Sequence, residues 1–325
     1  MNKKALNLAI VGTNFISDYM AEAASLSEKC TAHAVYSRTK EKGHEFAEKH
    51  GIPLVYQDFD EMLKNPDIDA VYIASPTFLH KEMAVKTLNH GKHALIEKMI
   101  SISQGEFLEI EEAAKKSGKI YLEAMRPDFD KAFSLIEENL GKIGKIKEAY
   151  LEFRQYSSRY DNFKRGIIEN AFSPNLKNSA LGDLGIYPLH TAIRLFGEPL
   201  SFNSDSLFLG NGFEGEGEIN LNYVGFSVKI SYSKISSGKH ESYIIGEGGE
   251  IRFGKINAPQ FLSIKAEGKE LLPSFIPDKN NILTELDAFC DAVYGDKSYL
   301  RFNSVSEKTM SLVDKIYESS GIKFL

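Results

Sequence analysis

The sequence predicts an α/β chain in two parts: a doubly wound parallel sheet, then an α+β domain on a large, mostly antiparallel sheet. Three observations predict it. Up to residue 123, short apolar runs alternate with helical stretches through short connections. Between residues 200 and 272 short β-rich runs instead follow one another directly, with Gly and Asn between them. The first apolar run also passes straight into Gly12-Thr13-Asn14-Phe15-Ile16-Ser17, a turn of the kind that seats a dinucleotide pyrophosphate.

In chain order, residues 6–11 read as a buried strand and 16–28 as a helix. A second strand covers 31–36, and a charged helix at 40–50 is closed by Gly51 and Pro53. A short strand at 53–56 precedes a helical turn at 60–64, ended by Asn65-Pro66. Residues 70–74 form an apolar strand ending in Ser75-Pro76-Thr77, and the helix at 81–90 stops at Gly91. A strand at 94–97, a helix at 103–117 stopped by Gly118 and a strand at 120–123 complete this part. Beyond Glu123 the rhythm changes. Residues 130–139 and 178–196 read as helices, and 219–223, 226–232, 241–245 and 250–253 as strands. Helices at 281–293 and 304–319 close the chain. The boundary therefore falls near 123–126. It gives a dinucleotide-binding Rossmann domain over 1–123 and a substrate-binding and oligomerisation domain over 124–325.

Composition narrows the function. The chain has 325 residues, 42% hydrophobic and 26% charged, with a formal net charge of −6. No basic stretch dominates, which argues against nucleic acid. No apolar run approaches the ~20 residues of a membrane span, and no charged leader precedes an apolar core. Cys30 and Cys290 are far apart in sequence and read as free thiols in a reducing cytoplasm. The eight histidines show no metal-ligand spacing, so no metal is expected.

The cofactor turn keeps only the first of the three glycines of its pattern, Gly12. Asn14, which tolerates left-handed geometry, takes the second place, and the small Ser17 takes the third. The second strand ends in Tyr36-Ser37-Arg38-Thr39, with no carboxylate to hold two ribose hydroxyls. Ser37 and Thr39 can donate to a 2′-phosphate, and Arg38 can stack on adenine and pair with that phosphate. The reading is NADP(H), with NAD(H) as the alternative.

The run His93-Ala94-Leu95-Ile96-Glu97-Lys98 carries a carboxylate and an amine out of the C-terminal end of a strand, the ligand edge of such a sheet. Ser75-Pro76-Thr77-Phe78-Leu79-His80 follows the neighbouring long strand. Gly182-Asp183-Leu184-Gly185-Ile186-Tyr187 opens a helix in the second domain, where Asp183 and Tyr187, four apart, would share one face. An ammonium facing such a pair across a domain cleft can lower a tyrosine pKa and polarise a substrate oxygen.

On these segments the chain resembles the Gfo/Idh/MocA oxidoreductases over nearly its whole length. Gly12–Ser17 resembles that family's cofactor turn, 75–80 its Thr-Pro-x-x-x-His segment and Glu97-Lys98 its Glu-Lys-Pro motif. Glu123-Ala124-Met125 resembles the crossing into the second domain, and 182–187 the motif whose usual form is Asp-x-x-x-His. Tyr187 in place of that histidine resembles the branch of glucose–fructose oxidoreductase and dimeric dihydrodiol dehydrogenase, whose members favour NADP. Met99 stands where the family has proline.

The resemblance implies an NAD(P)-dependent oxidoreductase moving a hydride between the cofactor and a sugar, polyol or related hydroxy or carbonyl compound. Lys98, Tyr187 and Asp183 are the catalytic candidates. Tyr187 would donate the proton, Lys98 would stabilise the alkoxide, and Asp183 would orient substrate hydroxyls or Lys98. Gly12, Thr13, Asn14, Phe15, Ile16, Ser37, Arg38, Ser75, Thr77, His80, Glu97 and Lys98 are expected at the cofactor. Arg126 and Arg165 join Lys98, Asp183 and Tyr187 as substrate candidates. His190 reads as a buried, satisfied histidine. Tyr156, Tyr160 and Phe163 in the loop 155–164 could cover the cleft or simply pack beneath it, and loops such as 157–174 would shape the pocket. A homodimer or homotetramer is expected through the second-domain sheet, by the apolar positions of 226–232. Two other readings remain open: a dinucleotide-binding sensor without turnover, and an enzyme using tightly bound NAD(P) transiently for glycoside cleavage or internal redox cycling.

Overall fold

The first six strands are all parallel, in the order β3-β2-β1-β4-β5-β6. They are β1 (Leu6–Val11), β2 (Cys30–Tyr36), β3 (Leu54–Tyr56), β4 (Ala70–Ile73), β5 (His93–Glu97) and β6 (Tyr121–Ala124). The helices between them are α1 (Phe15–Leu26), α2 (Lys40–His50), α3 (Phe59–Lys64), α4 (His80–Asn89) and α5 (Gln104–Ser117). The strand order reverses between β1 and β4, so the turn after β1 and the segment after β4 leave one edge side by side. Continuous apolar runs suit strands covered on both faces, and β4 is buried along its whole length. The structure is a computed structural model that describes residues 4–272 and 274–324.

The described residues up to Met125 form one compact unit with Asn280–Glu307, and Arg126–Lys279 with the residues from Lys308 onward form a second. The helix read at 281–293 is therefore grouped with the parallel sheet, not with the 124–325 domain in which the sequence placed it. It packs on α1, and Lys29 and Ser27 bind Asp291 and Asp287 at 2.7 and 2.5 Å. Its period announces an apolar face, carried by Ile282, Leu286 and Phe289, but a period does not say which surface that face will cover.

In the second unit, α6 (Arg126–Phe129) and α7 (Lys131–Asn139) precede β7 (Ile146–Arg154). Then come α8 (Arg159–Lys164), a π-helical turn at Leu181–Gly185 and α9 (Ile186–Phe196). The strands β8 (Ser201–Phe208), β9 (Glu214–Tyr223), β10 (Phe226–Ser233), β11 (Ser242–Gly246), β12 (Gly249–Phe253), β13 (Leu262–Ala266) and β14 (Lys269–Glu270) follow. With β7 they build an eight-stranded sheet in the order β14-β13-β12-β11-β7-β10-β9-β8. Helices α10 (Asn281–Val293) and α11 (Arg301–Ser320) end the chain. The sheet is antiparallel except where β7 runs parallel to β10. The sequence reading did not mark β7 as a strand, although it is a central one, because Lys147, Glu148 and Glu152 interrupt its apolar residues.

Period-two alternation decides which face of this sheet is apolar. Val228, Ile230 and Tyr232 are fully buried within the unit, where β10 contacts α9 and the π-helical turn. The apolar positions of 226–232 are thus already covered by the unit's own core, and they do not form the free surface that the sequence suggested. The opposite face is polar: Lys229 pairs with Glu218 at 2.9 Å, and Tyr150 lies 5.6 Å from Tyr243, which Arg252 overlies.

Cys30 on β2 and Cys290 on α10 are both buried and free. The Cys290 side chain beside it, together with burial, pushes the Cys30 thiol well above its ordinary pKa. A buried thiol held protonated is a poor nucleophile. Ellman's reagent should therefore leave both cysteines of the native protein unmodified over an hour at neutral pH and titrate two thiols after denaturation. Fast labelling of the native protein would contradict this packing.

Candidate active site

The turn after β1 is pressed against β4. Gly12 has φ +100°, and a Cβ there would stand 3.0 Å from the Ala74 carbonyl oxygen, so neither conformation nor space admits a side chain. Ser17 is fully buried under the turn, where a small residue is needed. Asn14 departs from the sequence expectation. It is extended (φ −91°, ψ 176°) and caps α1, accepting from the Ile16 and Ser17 amides at 3.0 and 3.2 Å. Its amide donates to the Ala74 carbonyl at 2.9 Å. Asn14 thus ties β1, α1 and β4 together instead of supplying left-handed backbone. Thr13 and Ile16 are half-buried, and the Phe15 ring is exposed.

At the tip of β2, Ser37 is buried and its hydroxyl donates to the Thr39 carbonyl at 2.9 Å. That donor is already engaged within the loop. Arg38 is exposed and makes no ion pair among the described residues, so its guanidinium is available to an anion. Ser37 was read as a phosphate donor; what the structure shows it doing is shaping the loop that presents Arg38.

The end of β5 is held by side chains at successive backbone groups. Glu97 accepts the Tyr72 hydroxyl at 2.6 Å on one carboxylate oxygen and the Lys98 amide at 3.2 Å on the other. The Met99 carbonyl meets His80 Nδ1 at 2.7 Å, and the Ile100 amide donates to Glu123 Oε1 at 3.0 Å. Glu123 Oε2 accepts from Ser306 at 2.5 Å. The Lys98–Met99 peptide is cis, and Met99 and Ile100 are buried. His80 was expected at the cofactor. Both its ring nitrogens instead reach backbone carbonyls, the second being Ser75 at 2.8 Å. Only an imidazolium could donate to both. Burial opposes that charge and holds the His80 pKa below its ordinary value. Ser75 and Thr77 are half-buried, and Thr77 opens a single 3₁₀ turn before His80. Glu123, Tyr72 and Ser306 were not read as site residues. A carboxylate inside the apolar strand Tyr121–Ala124 was the signal for the first. Nothing in the sequence singles out the hydroxyls.

In the second unit, Asp183 lies in the π-helical turn and Tyr187 in α9, which follows it directly. The turn packs closely on the sheet, since a Cβ at Gly185 would meet the Tyr232 ring at 2.8 Å. Asp183 is 44% exposed at its side chain and takes an ion pair from Lys234 at 2.7 Å. Tyr187 is buried, with its ring edge-on to Phe153 at 5.4 Å. Lys255 overlies the other partner in this row, its Nζ 5.5 Å from the Phe153 ring centre. Burial, with the Arg126 charge nearby, lowers the Lys255 pKa. Arg126 opens α6 half-buried, whereas Arg165 is exposed and binds Asn162 within its own loop. His190 is buried and bonded to Asp128 at 2.8 Å, a structural tie between α9 and α6.

The residues 6–125 match the family model described as an oxidoreductase family with an NAD-binding Rossmann fold. Over 322 residues the chain is 37% identical to scyllo-inositol 2-dehydrogenase (NADP(+)) IolU of Bacillus subtilis, covering 98% of each. The chain belongs to the Gfo/Idh/MocA oxidoreductases. It is also 28% identical over 290 residues to the trans-1,2-dihydrobenzene-1,2-diol dehydrogenase of Mus musculus, covering 86% of this chain and 84% of that one. Its fold matches a 3-ketoreductase, KijD10 of Actinomadura kijaniata, crystallised with NADP and TDP-benzene. That match has a TM-score of 0.86 at 19% identity, over 97% of this chain and 98% of the other. The chain is therefore an oxidoreductase enzyme. The tight turn at Gly12, between β1 and the N-terminus of α1 at the switch point of the sheet, fits the dinucleotide of a Gfo/Idh/MocA member.

One group beneath the Asp183 turn has a pH consequence. Glu214 is buried, accepts the Leu181 amide at 2.9 Å, and burial pushes its pKa up to about 7. Its folded pKa lies above the unfolded one, so its contribution to stability is full below about 4.5 and is lost as pH rises toward 7. Glu214→Gln should therefore gain on the wild type by up to roughly 3 kcal/mol between pH 5 and pH 8. Thermal melts across that range should diverge. Parallel melting curves would show that Glu214 ionises normally.

Proposed function

We propose that this enzyme is an NADP(H)-dependent dehydrogenase or reductase of a cyclic polyol, sugar or related hydroxy or carbonyl compound. The observation that carries this reading is Lys98, on a backbone braced by Glu97, His80 and Glu123 at the edge that also bears the Gly12 turn. An ammonium carried by a braced backbone at that edge suits a group that must meet developing negative charge. The bound nicotinamide supplies or accepts the hydride. Lys98 stabilises the alkoxide oxygen, and the Tyr187 hydroxyl gives up or receives its proton. Asp183 orients substrate hydroxyls, with Arg126 and Arg165 as further substrate contacts. Thr13, Asn14, Phe15 and Ile16 hold the pyrophosphate beside Gly12, and Ser75 and Thr77 line the same edge. The exposed Arg38, with no carboxylate at the β2 tip, favours a 2′-phosphate. The Bacillus relative, named for scyllo-inositol and NADP(+), supports a polyol and this cofactor.

We assign substrate recognition and self-association to the second unit. The polar sheet face around Tyr150, Tyr243 and Lys229 is the surface proposed for a homodimer or homotetramer. Two free buried thiols suit the cytoplasm.

Two substitutions test the reading. Arg38→Ala should weaken NADP(H) about 10- to 100-fold, the worth of a charge-assisted phosphate pair, and leave NAD(H) unchanged by titration calorimetry. Lys98→Met should still bind NADP(H) and lose at least ~10³-fold in kcat on an inositol and sugar panel, as for loss of an oxyanion-stabilising donor. Wild-type kcat in Lys98→Met would remove the lysine from the chemistry. A protein that binds dinucleotide and turns over nothing would point to a sensor.

A further inference from the structure

A second lysine stands behind Asp183. Lys234 follows β10, and its side chain is only 6% exposed. Its Nζ donates to Asp183 Oδ2 at 2.7 Å and to the Ala171 carbonyl at 3.1 Å. The ammonium also overlies the rings of Phe172 and Phe213, 5.2 and 5.6 Å from their centres. The backbone of the same residue is used as well: its carbonyl accepts the Ser157 amide at 2.9 Å, and its amide donates to Gly215 at 2.9 Å. One residue thus holds the loop 157–171 at both feet, by its main chain at the start and its ammonium at the end. Within that loop Tyr160 stacks on Phe163 at 5.9 Å and on Phe172 at 5.8 Å.

A buried ammonium needs its compensating partners. Here these are a half-exposed carboxylate, a loop carbonyl and two aromatic faces, so moving any one of them disturbs the others. We propose that Lys234 is a positioning residue of the active site: it fixes the Asp183 carboxylate and the aromatic loop 157–172 as one preorganised substrate surface. This rests on the dehydrogenase reading for its catalytic consequence, but not for its structural one. Lys234 acts through Asp183 and the loop. Its loss therefore falls on substrate handling and leaves the dinucleotide turn of the first unit unaffected.

The test compares Lys234→Met, which keeps the length of the side chain, with Lys234→Arg, Asp183→Asn and the Met/Asn double variant, each as the full-length protein. Hydrogen exchange by mass spectrometry should show at least tenfold faster exchange of amides in 157–172 in Lys234→Met, with β1–β6 unchanged. On the polyol that the wild type turns over, kcat/KM should fall ~30-fold or more with NADP(H) affinity unchanged. Lys234→Arg should recover part of both effects. If Lys234 works through Asp183, the double variant should lose less than ~3-fold beyond Asp183→Asn alone. Unchanged exchange of the loop, or fully additive losses in the double variant, would overturn the proposal. A wild type that turns over no substrate would defeat the dehydrogenase reading alone, because loop exchange still decides whether Lys234 makes this tie.

Discussion

The backbone from Lys98 to Ile100 is the constraint around which the first unit's candidate site is built. Three consecutive residues past the end of β5 no longer have strand partners, yet two of them are buried. Buried backbone polar groups must be bonded. Here side chains from three other places do it: Glu97 takes one amide, Glu123 another, and His80 faces the carbonyl between them. Each of these is held in turn, by Tyr72, Ser306 and the Ser75 carbonyl. The backbone that carries the lysine is therefore over-determined.

The second unit solves a similar problem differently. Its candidate residues sit on a π-helical turn and the helix after it, packed so closely on β10 that only glycine fits at position 185. Under this turn lie a buried carboxyl, Glu214, and a buried ammonium, Lys234, which reach two adjacent points of it, the Leu181 amide and the Asp183 carboxylate. The value of buried polar groups of this kind is in specifying one arrangement of the backbone. Both units thus use buried polar groups to set geometry.

Much of the fold is legible in the sequence because its signals are local. The apolar runs, Gly51, Gly91 and Gly118 and the run into Gly12 mark the parallel sheet, and 281–293 marks its helix to the residue. Of the candidate site, Lys98, Glu97, Arg38, Asp183 and Tyr187 could be named because their residue types at strand ends or helix starts carry chemistry. Strand β7 escaped because Lys147, Glu148 and Glu152 interrupt its apolar residues. Tyr72, Ser306 and Lys234 escaped for another reason. A tyrosine in an apolar strand, a serine in a helix and a lysine after a strand are unremarkable until a distant carboxylate is folded against them.

The sequence by itself determined the class of fold and the family, and it named the candidate reacting groups, since each depends on residue type and on spacings of a few residues. Only the tertiary structure decided that Asn14 is a cap, that His80 and Glu97 brace a backbone, that α10 joins the parallel sheet and that Asp183 answers to Lys234. Several of those facts join positions far apart in the chain, as Asn14 to Ala74, Lys234 to Asp183 and Lys29 to Asp291 do. Periodicity reports which face of an element is apolar. It carries no information about which other element that face, or a polar group on it, will meet.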